Sequence, residues 1–159
     1  AVELEIEDLI NAAIDQSQIS ADNRQIMVSH TEAKDALVLG DREQLVMAIQ
    51  NLVENAINYS PEGTKVSVNT TVDQGIVDIS ITDQGIGIPE NDIDRIFERF
   101  YRVDPARSRQ TGGTGLGLSI VKHVASKHGG EVTVWSVPGV GSTFSLRLPV
   151  YTPTQESVQ

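Results

Sequence analysis

The chain has no cysteine, which excludes disulfides and thiolate metal sites. That absence is compatible with a reducing compartment. Aromatic residues are scarce at 4%, so a core has to come from Ile, Leu, Val and Ala. Basic side chains are outnumbered: 12 Lys and Arg stand against 22 Asp and Glu, for a net charge of -10. A phosphate backbone demands a basic footprint, which argues against nucleic acid as the main partner. No apolar run is long enough to cross a bilayer and no signal peptide opens the sequence, so no membrane contact is expected of this domain. The sequence starts at Ala1 and enters patterned residues at once, which reads as a piece of a longer protein.

What is present fits one domain. Hydrophobic residues make up 39% of 159, enough for a two-layer core. Leu9, Ile10, Ala13 and Ile14 at helical spacing predict a helix over 7–18. Short apolar runs at 26–29 and 36–39 read as strands. Asp41 is a helix N-cap, and Leu45, Ile49, Leu52 and Ala56 keep one face of a helix to about Asn58. Residues 65–72 and 76–82 alternate around Asp73-Gln74-Gly75, a hairpin pattern. A short helix is predicted over 92–98 and a mobile loop from there to Gly112-Gly113. A further helix runs from Thr114 or Gly115 to His128 and stops at Gly129-Gly130. A last hairpin, 131–137 and 142–148, turns at Pro138-Gly139, with Trp135 in strand core or edge packing. Residues 1–150 are read as the domain and 151–159 as a disordered tail. Hairpins with helices between them predict an α/β (α+β) two-layer sandwich: a mixed, mostly antiparallel sheet with helices on one face.

Three stretches carry chemistry. Asn51, Asn55 and Asn58 share one face of the second helix, opposite its apolar stripe. Asn is a mediocre helix former, so the stripe is either a solvated face or a set of neutral oxygens for hydrated Mg²⁺ and phosphates. Asp83-Gln84-Gly85-Ile86-Gly87-Ile88-Pro89 ends a strand. It is either an Asp-Gly turn or an acceptor for the exocyclic amine of adenine, where guanine presents a carbonyl; its glycines let a base approach the backbone. Gly112-Gly113-Thr114-Gly115-Leu116-Gly117-Leu118-Ser119 leads into a helix whose free N–H groups suit an anion. It is not a P-loop, because Leu118 stands where the Lys belongs. It is not a dinucleotide fingerprint either, because it follows an Arg-rich loop rather than a strand.

Charge is focused just ahead of that third stretch. Arg95, Arg99, Arg102, Arg107 and Arg109 face only Glu98 and Asp104 in their window. On an acidic chain this is either a solvated loop or the seat of one localised anion. Phe97 and Phe100 read as anchors of the loop, and Arg102 as a bidentate phosphate partner. His30, His123 and His128 are too far apart or out of phase for a metal pair. Ser119 and Ser142 lack the His and Asp pattern of a nucleophile.

Taken in order, residues 51–60, 83–87, 97–102 and 113–118 resemble the N box, first glycine box, F box and second glycine box of the sensor histidine kinase catalytic domain. Gly141-Ser142-Thr143-Phe144 resembles that family's closing strand motif, and the likeness covers residues 2–149. The stretches around Phe97 and Gly117 look most like the phosphate-regulon type, in particular its actinobacterial members. The resemblance implies the ATP-binding fold shared with gyrase, Hsp90 and MutL. It makes Asn55 the Mg²⁺ ligand and Asn51 a support for the phosphates. Asp83 becomes the reader of the adenine amine, with Gly85, Gly87 and Ile88 around the base and Tyr59 beside it. Tyr101 and Arg102 meet ribose and phosphates, Gly113, Thr114, Gly115, Leu116, Gly117 and Leu118 wrap the phosphates under a lid, and Thr143 sits near the adenine end.

The implied activity is that of a protein histidine kinase. ATP·Mg²⁺ is bound here, and the γ-phosphate goes to a histidine on the helical-hairpin domain of the parent, then to a response regulator. The parent implied is a dimeric, membrane-anchored sensor with this part in the cytoplasm, and the isolated piece is expected to be a monomer. No complete catalytic set lies in this chain, since the phosphoacceptor His with its following acid is missing. Glu54, at the place of the water-activating Glu of gyrase-like ATPases, and Arg102 are the only candidates. Asn58 departs from the Lys, His or Arg common at its position, which shifts phosphate binding toward Arg102. Two other readings remain: an anti-sigma-factor serine kinase of the same fold, and a non-catalytic ATP-sensing module.

Overall fold

The computed structural model describes residues 1–98 and 117–153. Strand β1 (Val2–Glu5) leads into helix α1 (Ile6–Asn23), β2 (Met27–His30), β3 (Leu37–Gly40) and helix α2 (Arg42–Tyr59). Then come β4 (Lys65–Asp73), β5 (Ile76–Thr82), helix α3 (Gly117–Lys127), β6 (Glu131–Val137) and β7 (Gly141–Pro149). Five strands form one sheet in the order β2-β4-β5-β7-β6, and β1 pairs with β3 in a separate ribbon. Only β2–β4 is parallel in the larger sheet; its other three pairings are antiparallel. This is the expected mixed sheet, with the helices packed on its inner face.

Two-residue periodicity sorts that face from the other. Val77 opposes Leu148, Ile79 opposes Leu146 and Val132 lies beyond it, and Ile81 opposes Phe144 with Val134 next. Leu9, Ile10, Leu45, Ile49 and Leu52 of the helices cover these rows, all fully buried. The outer face carries the alternate residues and is polar: Ser80 meets Ser145 at 3.1 Å and Arg147 bonds Asp78 at 2.9 Å. Trp135 falls on this outer parity of the edge strand β6 and is 66% exposed, so its predicted packing is corrected.

Helix ends follow local chemistry. The Asp41 side chain accepts from the Gln44 N–H at 3.1 Å and starts α2 as expected. Past α3, Gly129 takes φ 75° while its N–H bonds Ser126 O and the Gly130 N–H bonds Ala125 O, the paired bonds of a Schellman stop. Helix α1 runs beyond the predicted 18 because Ala21 still buries, and it ends by the same device with Gln25 at φ 56°. The helix predicted over 92–98 is instead a 3₁₀ turn, Glu90–Asp92, followed by further turns. Its bonds are i to i−3 (Arg95 N to Asp92 O, Glu98 N to Arg95 O), while Ile93, Ile96 and Phe97 turn apolar side chains into the core. Phe97 meets Phe144 edge-on, centroids 6.2 Å apart, as its anchor reading required.

Leu52 lies fully buried between α2 and the sheet. Leu52→Ala should lower unfolding free energy by about 2–5 kcal/mol, read from urea melts at unchanged m-value.

Candidate functional site

The apolar rows of the inner face give way at one end to a polar row. Beyond Ile81 and Phe144, Asp83 faces Ser142, and Ser142 faces Ser136 across the β6–β7 ladder. Asp83 is only 6% exposed. Its Oδ1 accepts from the Gly85 N–H at 2.8 Å and the Ser142 N–H at 3.2 Å, and its own N–H bonds Ser142 O at 2.9 Å. Oδ2 has no hydrogen-bond partner among the described residues. Burial pushes the carboxyl above its ordinary value of 3.8, and the N–H bonds from Gly85 and Ser142 pull it part of the way back.

The glycines after Asp83 sit where side chains do not fit. A Cβ on Gly85 would overlap the Tyr59 carbonyl, and Gly87, at φ 75°, lies against Val137 O and the Cα of Pro138. The loop is thus wedged between the end of α2 and the β6–β7 turn. It is bonded there by Gly139 N–H to Ile86 O at 2.7 Å and Ile88 N–H to Ser136 Oγ at 2.7 Å. Helix α2 contributes Asn51, Glu54, Asn55, Asn58 and Tyr59, all half-buried on the face away from its apolar stripe. Gly117, the first residue of α3, approaches Asn51: a Cβ there would stand 3.7 Å from Oδ1. The described end of the second glycine stretch, Gly117, therefore meets the asparagine helix, and Leu118 packs against the core. Tyr101, Arg102, Gly113, Thr114, Gly115 and Leu116, with the whole Arg-rich loop from Arg99 on, lie outside the described residues.

Thr143 is not brought to this site. Its side chain falls on the outer parity, bonded to Thr82 at 3.0 Å, while Asp83 and Ser142 point to the helix side. The period of the strand allows only alternate residues on one face, and Ser142 takes the inward place. Sequence reasoning also missed three residues that hold the site's walls. Arg24 donates from Nε to Ile57 O at 3.0 Å and from Nη2 to Ser60 O. It supplies the cation that the last turn of α2 lacks. His128 accepts the Asp41 N–H at Nε2, 3.1 Å, and donates from Nδ1 to Val124 O at 2.8 Å, joining the end of α3 to the start of α2. Ser136 holds the loop after Asp83. No sequence signal marks Arg24 or His128; Ser136 was detectable only as an inward polar position in an otherwise apolar strand.

A family model described as histidine kinase-, DNA gyrase B- and HSP90-like ATPase matches residues 40–152. The chain belongs to this ATPase family. Within it, the chain is a catalytic ATPase domain of the sensor histidine kinase type. A solved mycobacterial sensor histidine kinase, MprB, is 31% identical with a TM-score of 0.79, over 96% of this chain and 99% of that one. The catalytic domain of histidine kinase ThkA, nucleotide-free, gives 27% and 0.80 over 93% and 94%. Among curated proteins, the sensor-like histidine kinase SenX3 of Mycolicibacterium smegmatis is 51% identical over 97% of this chain. The phosphate regulon sensor PhoR of Pseudomonas aeruginosa is 37% identical over 88%. The chain spans 40% of that SenX3 and 32% of that PhoR.

The raised Asp83 carboxyl has a signed consequence. Between 3.8 and its folded value the native state holds more protons than the unfolded chain, so stability falls as pH rises through that window and is level above it. Asp83→Asn lacks this component. The stability of the variant minus that of the wild type should therefore grow with pH above 3.8 and then plateau, read from denaturant melts between about pH 3 and pH 7. A difference that stays flat would place the carboxyl in water.

Proposed function

We propose that this domain binds ATP·Mg²⁺ and presents the γ-phosphate to a histidine on the helical-hairpin domain of its parent, for relay to a response regulator. The observation that carries the reading is Asp83: buried, fixed through one oxygen by two backbone N–H groups, with no partner for the other oxygen among the described residues. Such an acceptor suits the adenine amine and opposes the guanine carbonyl. Gly85, Gly87 and Ile88 line the same loop, and Tyr59 ends the helix wedged against it. A full-length ShkA structure in complex with AMPPNP, 27% identical with a TM-score of 0.81, adds weight to a nucleotide at this place.

Asn55 offers a neutral amide oxygen from α2, one turn beyond Asn51. That donor fits Mg²⁺, which keeps several waters and shares phosphate oxygens rather than filling an all-protein cage. The ion would supply charge neutralisation at the phosphates. Asn51, Gly117 and Leu118 stand where the second glycine stretch meets α2, which supports the phosphate end there. Tyr101, Arg102, Gly113, Thr114, Gly115 and Leu116 are assigned to ribose and phosphates on the sequence alone, and Glu54 to surface charge. Phosphoryl transfer requires chiefly positioning and charge neutralisation, which one domain can provide to a nucleophile carried by another.

None of this chain's histidines suits the acceptor role. His128 has both ring nitrogens engaged, and neither His30 nor His123 has an acidic neighbour next in sequence. Among the described residues no helix is long and apolar enough to cross a membrane.

Calorimetric titration tests the adenine assignment. Asp83→Asn should lose about 1.5–3 kcal/mol of ATP binding, the worth of a charge-assisted bond, with the fold retained. Unchanged affinity would remove Asp83 from the base site. Radiolabelled ATP tests the transfer. The chain alone should take no label; with the parent's hairpin added in trans, acid-labile label should appear on the hairpin, slowly, because the tether's effective concentration is gone. Acid-labile phosphate on this chain alone would refute the reading, and acid-stable phosphate on a serine of a partner would favour the anti-sigma-factor kinase.

A further inference from the structure

We infer that Ser136, which belongs to none of the nucleotide motifs, is a positioning residue that sets the purine selectivity of the site. The inference rests on the adenine reading of Asp83. Ser136 lies on β6, on the inner parity, opposite Ser142 of β7. Its Oγ receives the Ile88 N–H at 2.7 Å, stands 2.9 Å from Ser142 Oγ, and donates to Gly141 O at 3.1 Å. A hydroxyl has one proton and two lone pairs. With the proton on Gly141 O, both lone pairs are used, one by Ile88 N–H and one by Ser142 O–H. Ser136 is a saturated three-bond junction.

Each bond leads to the base site. Ile88 ends the loop that carries Gly85 and Gly87, and its N–H is the loop's tether to β6. Gly141 presses its backbone against Asp83 O so closely that a Cβ there would overlap. Ser142 clasps Asp83 by two backbone bonds, N–H to Oδ1 and O to the Asp83 N–H. One hydroxyl therefore fixes both the carboxylate that reads the base and the loop that the base lies along. It touches no nucleotide itself; it sets the separation between reader and wall. A looser loop leaves Asp83 charged but lets a purine without the amine settle at another depth. Selectivity should fall more than phosphate-driven affinity.

The test is a titration of the wild type, Ser136→Ala, Ser136→Val and Ser136→Thr with ATP and with GTP. Wild type that binds no ATP would overturn the proposed function before any variant is compared. Given wild-type binding, Ala and Val should each lower ATP affinity about three- to tenfold, the net worth of one lost hydrogen bond. GTP binding should stay within about twofold, so the ATP-to-GTP ratio collapses, and Thr, which keeps the hydroxyl, should restore it. Equal weakening of both nucleotides, an unchanged ratio, or failure of Thr to rescue would each overturn the inference. Amide exchange without nucleotide gives a reading that does not depend on binding. In Ser136→Ala the Ile88 N–H should exchange faster while Ile79, in the middle of β5, does not; equal acceleration at both would mean general loosening and sink the assignment.

Discussion

Taking a carboxylate out of water costs several kcal/mol unless hydrogen bonds replace its hydration. Asp83 meets that demand with backbone rather than with a cation. Gly85 and Ser142 supply N–H groups to one oxygen, and no arginine or lysine bonds the group among the described residues. A cation would have satisfied the charge more completely and would also have occupied the second oxygen. Backbone donors leave that oxygen without a partner among the described residues. The rest of the site follows from keeping those donors in place: the hairpin β6–β7 must end beside β5, the loop must turn back on itself, and α2 must stop where its last carbonyls can border the loop.

That last requirement explains contacts with no part in ligand chemistry. Helix α2 ends against Gly85 with no basic residue of its own in its final turn. Arg24, from just past α1, brings a guanidinium to Ile57 O and Ser60 O, which satisfies orphan carbonyls and opposes the helix dipole. At the other end of the same helix, His128 accepts the Asp41 N–H and so docks α3. The helix that carries Asn51, Asn55 and Asn58 is thus pinned at both ends by side chains from its two neighbours. Its exposed face can then be polar without loosening its packing.

Long periodic segments were readable before the fold was known, because burial imposes the period. The stripe Leu45, Ile49, Leu52, Ala56 and the alternation through β4 and β5 forecast all three elements closely, and Asp41 marked the cap. The losses have physical causes. Strand β1 is four residues long, pairs only with β3, and buries too little to leave a pattern. Helix α1 is stopped by Gln25 in the left-handed region, a conformation that sequence reading assigns to glycine. Residues 92–98 contain apolar anchors at helical spacing but close i to i−3 bonds. At the site, Asp83 and the glycines were legible because their types are unusual at a strand end. Thr143 was misplaced by one position, enough in a strand to reverse its face. Ser136 showed only as an inward polar position, because its role is defined by the three groups around it and not by its own spacing.

An acidic chain that binds a polyanion poses an electrostatic problem that net charge does not answer. Charges more than about 8 Å apart across solvent are largely screened at physiological salt, so most of the excess carboxylates do not oppose a triphosphate. What matters is the charge on the wall itself. On α2 between Asn51 and Tyr59 the only ionisable acid is Glu54; the other polar positions are amides. Under the proposed Mg²⁺ role of Asn55, an Asp or Glu there would bind a bare divalent ion more tightly, yet would also repel each phosphate oxygen the ion has not neutralised. Amides avoid that repulsion and leave ion and phosphates to balance one another. They also leave the Asn51–Asn58 face of α2 without a cation of its own, since Asn58 is neutral. On the proposed reading the phosphates draw positive charge from the arginines at 99–109, a segment set apart in sequence from α2 and the strands; Arg95 is paired with Glu98 at 3.3 Å. On that reading, base recognition rests on the sheet end at Asp83, while charge recognition falls to a separate stretch of chain.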